Sequence, residues 1–134
     1  MVESTLLLIK PNAVENKNIG EIITIIEKDG FEIKDIKYFH FDDDLINSFY
    51  QDHIGKAFFP NLKKFMASNI TIALKLQRED AINRLRQING DTDPDKREPG
   101  SIRSLYADSI TANAVHSSDS PENAQRELNL IFGN

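Results

Sequence analysis

The segment from Thr5 to Ile9 is a continuous apolar run that stops at Lys10-Pro11-Asn12. A short run of this kind, bounded by turn residues, reads as a buried strand running into a turn. Beyond it the chain alternates between two periodicities. Ile19, Ile22, Ile23 and Ile26 recur at helical spacing, and Gly30 supplies a stop at the C′ position. Phe31 to Phe41 is rich in β-branched and aromatic residues and reads as a strand. Asp42 to Asp44 can cap a helix carrying Leu45, Ile46 and Phe49. A second short helix is expected over Leu62 to Met66, a strand over Ile70 to Leu76, and an amphipathic helix with Ala81, Ile82, Leu85 and Ile88 that ends at Gly90. Alternating strands and helices predict a two-layer α/β sandwich.

From Asp91 to Ala112 the pattern weakens, and Asp93-Pro94 and Pro99-Gly100 mark turns. A connection longer than about 12–15 residues is uncommon in a compact domain and tends to be functional or disordered. Asn113 to Val115 reads as a short final strand. Ser120 is a good N-cap, with Pro121 at the first helical position and Ala124, Leu128 and Ile131 on one face of the last helix. The coarse order is β-α-β-α(α)-β-α-loop-β-α. With 134 residues and no internal repeat or linker, the chain is expected to form one domain.

Bulk properties exclude several classes. A net charge of −5 and 28% charged residues argue against a dedicated nucleic-acid binder, which needs a basic surface, although a local cluster can still bind an anion. The absence of cysteine removes disulfides, thiolate catalysis and zinc-thiolate sites. The apolar run Leu6 to Ile9 is too short for a signal sequence or a membrane span, so a soluble cytoplasmic protein is the expectation.

Candidate chemistry centres on Asn113-Ala114-Val115-His116-Ser117-Ser118-Asp119-Ser120. His116 is placed at a strand end just before a helix start, where free N–H groups and the helix dipole favour an anion. An imidazole there can act as a nucleophile if one ring nitrogen is unprotonated and the other donates to an acceptor that fixes the tautomer. Glu127 borders the buried face of the last helix and is a candidate acceptor. Lys10, Arg86 and Arg103 are separated cations that would suit an oligophosphate if they converge, because guanidinium holds phosphate oxygens in a fork. Tyr50 and His53 share one helical face, and Phe58-Phe59 offers a ring to stack on a base. Asp42-Asp43-Asp44 reads as a solvated cap rather than a metal site. There is no P-loop and no kinase glycine-rich loop, so side chains must hold any nucleotide.

Taken in order, these segments resemble the nucleoside diphosphate kinases. The resemblance runs through Thr5-Leu6-Leu7-Leu8-Ile9-Lys10-Pro11-Asn12, Gly20-Glu21-Ile22-Ile23, Phe49-Tyr50-Gln51-Asp52-His53 and Phe58-Phe59. It continues through Gly90-Asp91-Thr92-Asp93-Pro94, Pro99-Gly100-Ser101-Ile102-Arg103, the octet, and Glu127 at its expected distance. It covers essentially the whole chain and implies a single kinase-like domain over residues 1–134. The implied fold is ferredoxin-like, βαββαβ, with a four-stranded antiparallel sheet and helices on one main face. The implied reaction moves a γ-phosphoryl group from a nucleoside triphosphate to a diphosphate by a ping-pong route that maintains nucleotide pools.

Under this resemblance His116 becomes phosphohistidine, Glu127 holds its second ring nitrogen, and Ser118 helps to position Glu127. Lys10 and Tyr50 approach the transferring phosphoryl group. His53, Arg86, Thr92 and Arg103 bind the other phosphates, while Lys10 and Asn113 contact the sugar hydroxyls. Phe58 and Ile110 sandwich the base, with Leu62 near it. Mg²⁺ arrives on the nucleotide phosphates with no direct protein ligand, Asp119 touching it through water at most. A homo-oligomer, tetramer or hexamer built from dimers, is also implied. The chain departs from the family pattern at Asn12, where Asp is usual, at Ala57 and Asn69-Ile70, where Pro and Gly-Pro are usual, and at Ser117, where Gly follows the histidine. Ser117 is the expected place of backbone strain. The alternatives are a catalytically weak, nucleotide-binding regulatory relative, and an RNA-binding module on a similar frame, which the net charge disfavours.

Overall fold

The computed structural model describes residues 2–133. Its centre is a four-stranded sheet in the order β2-β3-β1-β4, with β1 at Val2–Ile9, β2 at Glu32–Phe39, β3 at Thr71–Glu79 and β4 at Val115–Ser117. Every neighbouring pair is antiparallel. The helices are α1 (Pro11–Glu15), α2 (Ile19–Lys28), α3 (Asp43–Phe49), α4 (Phe59–Met66), α5 (Ala81–Asn89), α6 (Ile102–Tyr106) and α7 (Pro121–Phe132). This is the βαββαβ frame expected, with extra helices between its elements.

The apolar run of β1 now has a cause. β1 lies between β3 and β4, and Thr5 through Ile9 are all buried. Side chains alternate across a sheet, so a strand covered on both faces must be apolar at every position. Leu7, Ile9, Leu74 and Leu76 pack with Ile22, Ile26, Leu85 and Ile102 on one face. Leu6, Leu8 and Ala73 pack with Ile46, Phe49, Leu62, Met66 and Ile131 on the other. Helices therefore cover both faces rather than one main face.

The caps behave as the sequence predicts. Asp42 accepts from Leu45 N and Ser120 from Asn123 N, each satisfying an amide at a helix start. Gly90 closes α5 at φ 87°, and Gly30 lies just past α2 at φ 91°. β1, α4 and β3 each extend about three residues beyond the expected span, and three further differences alter the reading. Pro11-Asn12 is not a turn but the start of α1, because proline at N1 is preset for a helix. The 91–112 stretch is not structureless. A 3₁₀ turn (Pro94–Lys96) and α6 organise it, Ser101 Oγ caps α6 through Ser104 N, and the fully buried Ile102 anchors it.

The third difference bears on the site. The final strand is Val115–Ser117, not Asn113 to Val115, because Ala114 sits at φ 78° and breaks the extended backbone before it. His116 is thus the middle residue of β4, opposite Leu8 of β1.

Candidate active site

Strand alternation sends Val115 into the core shared with α2 and α5, and His116 to the opposite face. There His116 meets Phe49 edge-on at 5.1 Å between ring centroids and Tyr50 at 6.3 Å. Its Nε2 lies 3.0 Å from Glu127 Oε1 on α7, and Ser118 Oγ donates to the same oxygen at 2.6 Å. Ser118 is fully buried and Glu127 nearly so. Burial opposes ionisation of Glu127. The hydrogen bond and charge of His116, the Ser118 hydroxyl and the Arg126 guanidinium outweigh it, holding the carboxyl below its usual range. An ionised carboxylate only accepts, so the imidazole proton belongs on Nε2 and Nδ1 keeps its lone pair.

A cavity of about 160 Å³ opens beside this group, lined by Phe49, Tyr50, Asp52, His53, His116, Ser117, Asp119, Asn123, Arg126 and Glu127. Tyr50 lies just past the end of α3 and His53 closes a 3₁₀ turn (Gln51–His53), so they do not share one continuous helix. Their rings nonetheless stack at 5.9 Å, and Phe58 meets His53 edge-on at 5.2 Å. Burial raises the Tyr50 hydroxyl pKa, with the Glu127 charge adding to it, so Tyr50 is a neutral donor. Burial lowers the His53 pKa, with Lys56 next.

Lys10 follows β1 and is 7% exposed. Burial, and then the charge of Arg103, brings its pKa down to about 7. Arg103 donates to Gly90 O at 2.7 Å and to Val115 O at 2.8 Å, tying the start of the long loop to the residue before His116. Burial and the neighbouring Arg97 and Arg86 lower its pKa to about 10. Lys10 and Arg103 disfavour each other's charge, and the Asp91 carboxylate only partly offsets this at Arg103.

Other predicted residues spread around this centre. Arg86 is exposed and lines a shallow polar groove with Asp91, Lys96 and Glu98 rather than the His116 cavity. Thr92 is exposed, its carbonyl accepting from Arg97. Phe58 and Ile110 are exposed apolar side chains, 48% and 67%. Asn113 is buried and donates to Ile110 O. Leu62 is buried in the core at 8% exposure. Asp119 is exposed, its carboxyl pKa lowered by the Asn123 hydrogen bond.

Ser117, the expected place of strain, is extended and paired with Leu7; the strained residue of the octet is Ala114. Sequence reasoning also missed Phe49, Asn123 and Arg126. Phe49 was legible only as a core residue, and the others carry no local signal.

Of the eight buried side-chain atoms without a partner among the described residues, four belong here: Tyr50 OH, His53 Nδ1, Arg103 Nε and Asn113 Oδ1. Buried polar atoms are rarely left unpaired, and Tyr50 OH and His53 Nδ1, on residues that line the cavity, are the ones a polar ligand there would satisfy. A larger groove of about 590 Å³, lined by Glu3, Lys75, Leu128 and Phe132 among others, holds none of the predicted residues. No group of three or more acidic or histidine side chains that could hold a metal occurs among the described residues. Nor, among the described residues, is any helix long and apolar enough to cross a membrane.

Comparison with known proteins agrees with this geometry. The family model of nucleoside diphosphate kinase matches residues 3–134. The chain is 43% identical over 131 residues to the nucleoside diphosphate kinase of Listeria monocytogenes serotype 4b, covering 98% of this chain and 89% of that protein. It is 44% identical to that of Histophilus somni, covering 98% and 93%. The Aquifex aeolicus nucleoside diphosphate kinase structure superposes with a TM-score of 0.94 at 41% identity, covering 98% of this chain and 96% of that one. A halophilic nucleoside diphosphate kinase from Halobacterium salinarum in complex with CDP gives 0.95 at 32% identity, covering 100% and 90%. With the family matched along nearly its whole length and the histidine–carboxylate pair in place, the chain belongs to the nucleoside diphosphate kinase family.

Proposed function

We propose that this protein is a nucleoside diphosphate kinase, acting as one domain over residues 1–134, that transfers the γ-phosphoryl group of a nucleoside triphosphate to a nucleoside diphosphate through a phosphohistidine on His116. The observation that carries this reading is the Nε2 to Glu127 contact at 3.0 Å, which leaves Nδ1 as the nucleophile on a ring lining the cavity.

The Nδ1 lone pair attacks the γ-phosphorus. The bond from that phosphorus to the β,γ-bridging oxygen breaks, and the diphosphate departs with the electron pair. Positive charge growing on the imidazole is balanced by Glu127, which Ser118 holds in place. A second diphosphate then attacks the phosphorus through a terminal β-oxygen, and His116 recovers its lone pair. Such transfer depends on positioning and on neutralising phosphoryl charge. Lys10 and Tyr50 serve the moving group; His53, Arg86, Thr92 and Arg103 serve the remaining phosphates. Lys10 and Asn113 serve the sugar, and Phe58 and Ile110 the base, with Leu62 near it.

Magnesium fits as a companion of the nucleotide, because it keeps most of its waters and asks for one or two carboxylates beside substrate phosphates. Asp119, on the cavity rim and kept ionised by Asn123, suits an outer contact. When bound, the ion neutralises phosphate charge. Exposed Ile36 and Tyr38 on the edge strand β2 support assembly into a homo-oligomer, tetramer or hexamer, which light scattering would measure. The expected setting is the cytoplasm.

The test is direct. Incubation with γ-labelled ATP alone should label the protein in an acid-labile, base-stable form, and GDP should remove the label as GTP. No label on the wild type, or label retained in His116→Ala, overturns the proposal.

A further inference from the structure

α1 begins one residue after Lys10, and its second residue, Asn12, is nearly buried. The Asn12 side chain reaches segments about a hundred residues further along the chain. Its Oδ1 accepts from Ala114 N at 3.2 Å. Its Nδ2 faces Ala112 O at 3.0 Å, Asp108 Oδ2 at 3.1 Å and Tyr106 O at 3.4 Å. Asn16, just past the end of α1, donates to the same Asp108 oxygen at 3.0 Å. The Ala114 carbonyl in turn accepts from Lys10 N at 2.8 Å, so both backbone groups of the left-handed Ala114 are gripped by the Lys10-to-Asn12 segment.

We infer that Asn12, with Asp108 as its partner, is a positioning residue that holds the 108–114 stretch, and with it Ile110 and Asn113, in register with Lys10. This rests on the kinase reading above and extends it to the nucleoside end of the substrate. His116 itself is held separately, by pairing of β4 with β1 and by Glu127. The Asn12 network governs the preceding stretch, which has no sheet partner. Ile110 is exposed and needs a fixed backbone to present its side chain, and Asn113 is tied back to Ile110 O.

The chemistry demands an amide at position 12. One atom must accept from an N–H while the other donates toward neighbouring acceptors, and only a carboxamide sets an acceptor oxygen beside a nitrogen with two N–H donors. Aspartate would keep the bond to Ala114 N but set an oxygen against two carbonyls and the Asp108 carboxylate. Asp108 can only accept, so in this chain it calls for a donor at position 12.

The test is steady-state kinetics on the full-length protein. Asn12→Asp should raise the nucleotide KM about tenfold with kcat changed less than about threefold, since binding groups are displaced and the nucleophile is not. Asn12→Asp combined with Asp108→Asn lets the new amide donate to the new carboxylate but leaves the Ala112 and Tyr106 carbonyls opposed to it, so KM should return only part of the way, clearly below that of Asn12→Asp alone. If Asn12→Asp does not fold, Asp108→Ala supplies the readout, with KM expected about threefold or more above wild type. Variants that lose thermal stability while KM stays within about twofold overturn the inference, as does a double variant whose KM effect is the product of the singles. A wild type that takes no label from γ-labelled ATP overturns the parent reading instead. A labelled wild type with unmoved KM in the variants overturns this inference alone.

Discussion

His116 and Glu127 meet through one oxygen: Nε2 lies 3.0 Å from Oε1, and Ser118 Oγ lies 2.6 Å from that same atom. The shared oxygen leaves Oε2 toward Arg126, at 3.8 Å from its guanidinium. A buried carboxylate so placed sets both the tautomer of the ring and the charge available when the ring becomes cationic.

Glu127→Gln keeps the shape but removes the charge, and the amide can present either a donor or an acceptor to Nε2. Phosphohistidine formation, followed by rapid quench with labelled ATP, should slow by between about 10-fold and 10⁴-fold, the upper figure being the loss when a carboxylate orienting a catalytic histidine becomes an amide. Ser118→Ala should act mainly on stability. It removes a buried hydrogen bond to a charged group, worth about 1.5–3 kcal/mol, and urea unfolding should report that loss. Normal labelling in Glu127→Gln would contradict the role given to this pair.

Lys10 makes pH a second handle. Its pKa falls from 10.5 in the unfolded chain to about 7 when folded. Below pH 7 both states carry the charge, and its burial costs the folded state most. Between about 7 and 10.5 the unfolded state binds more protons, so this contribution to stability improves as pH rises. Lys10→Met should therefore melt above wild type at about pH 6.5, with the gap narrowing by about pH 9. Bound phosphate favours the charged form, so nucleotide binding at about pH 8 should take up a proton. Calorimetry in buffers of different ionisation enthalpy would measure it, and Lys10→Met should abolish it.

Ala114 adopts φ 78°, a conformation that costs a residue with a Cβ about 1–2 kcal/mol. Ala114→Gly should raise the urea midpoint, by less than the full strain because glycine also loosens the unfolded chain. Ala114→Val should lower it by more than the glycine variant raises it, since β-branching worsens the clash at positive φ. A destabilised glycine variant would mean that the strain is absent.

Gly90 has a different constraint. A Cβ there would stand 2.5 Å from Ser101 Oγ and 2.8 Å from Ser101 Cβ, at φ 87°. Gly90→Ala should destabilise by about 2 kcal/mol or more, the sum of a positive-φ penalty and overpacking. Because Gly90 O also receives Arg103, nucleotide affinity should fall as well. Ser101→Gly in the same chain removes the clash but not the dihedral penalty, so about half the stability loss should return.

Legibility in the sequence followed the range of the interactions. Ser120 and Asp42 cap their helices through amides three residues on, and both were readable from spacing. The β4 boundary was not, because Ala114 takes its conformation from Lys10 and Asn12, on the far side of the chain. α6 was hidden for a similar reason: its one buried apolar anchor, Ile102, is too little to make a pattern. At the site, Glu127 was readable as bordering a buried face, while the carbonyl contacts of Arg103 were invisible.

Periodicity, caps and ordered motifs are local, and they sufficed for the alternating elements, the buried first strand, the last helix and the family. Packing settled the rest: that Glu127 reaches Nε2, that burial discharges Lys10 near neutral pH, that strain sits at Ala114 rather than Ser117, and that Asn12 answers Asp108. Each depends on burial or on contacts between segments remote in the chain, and the free energy of such contacts exists only once the segments are brought together.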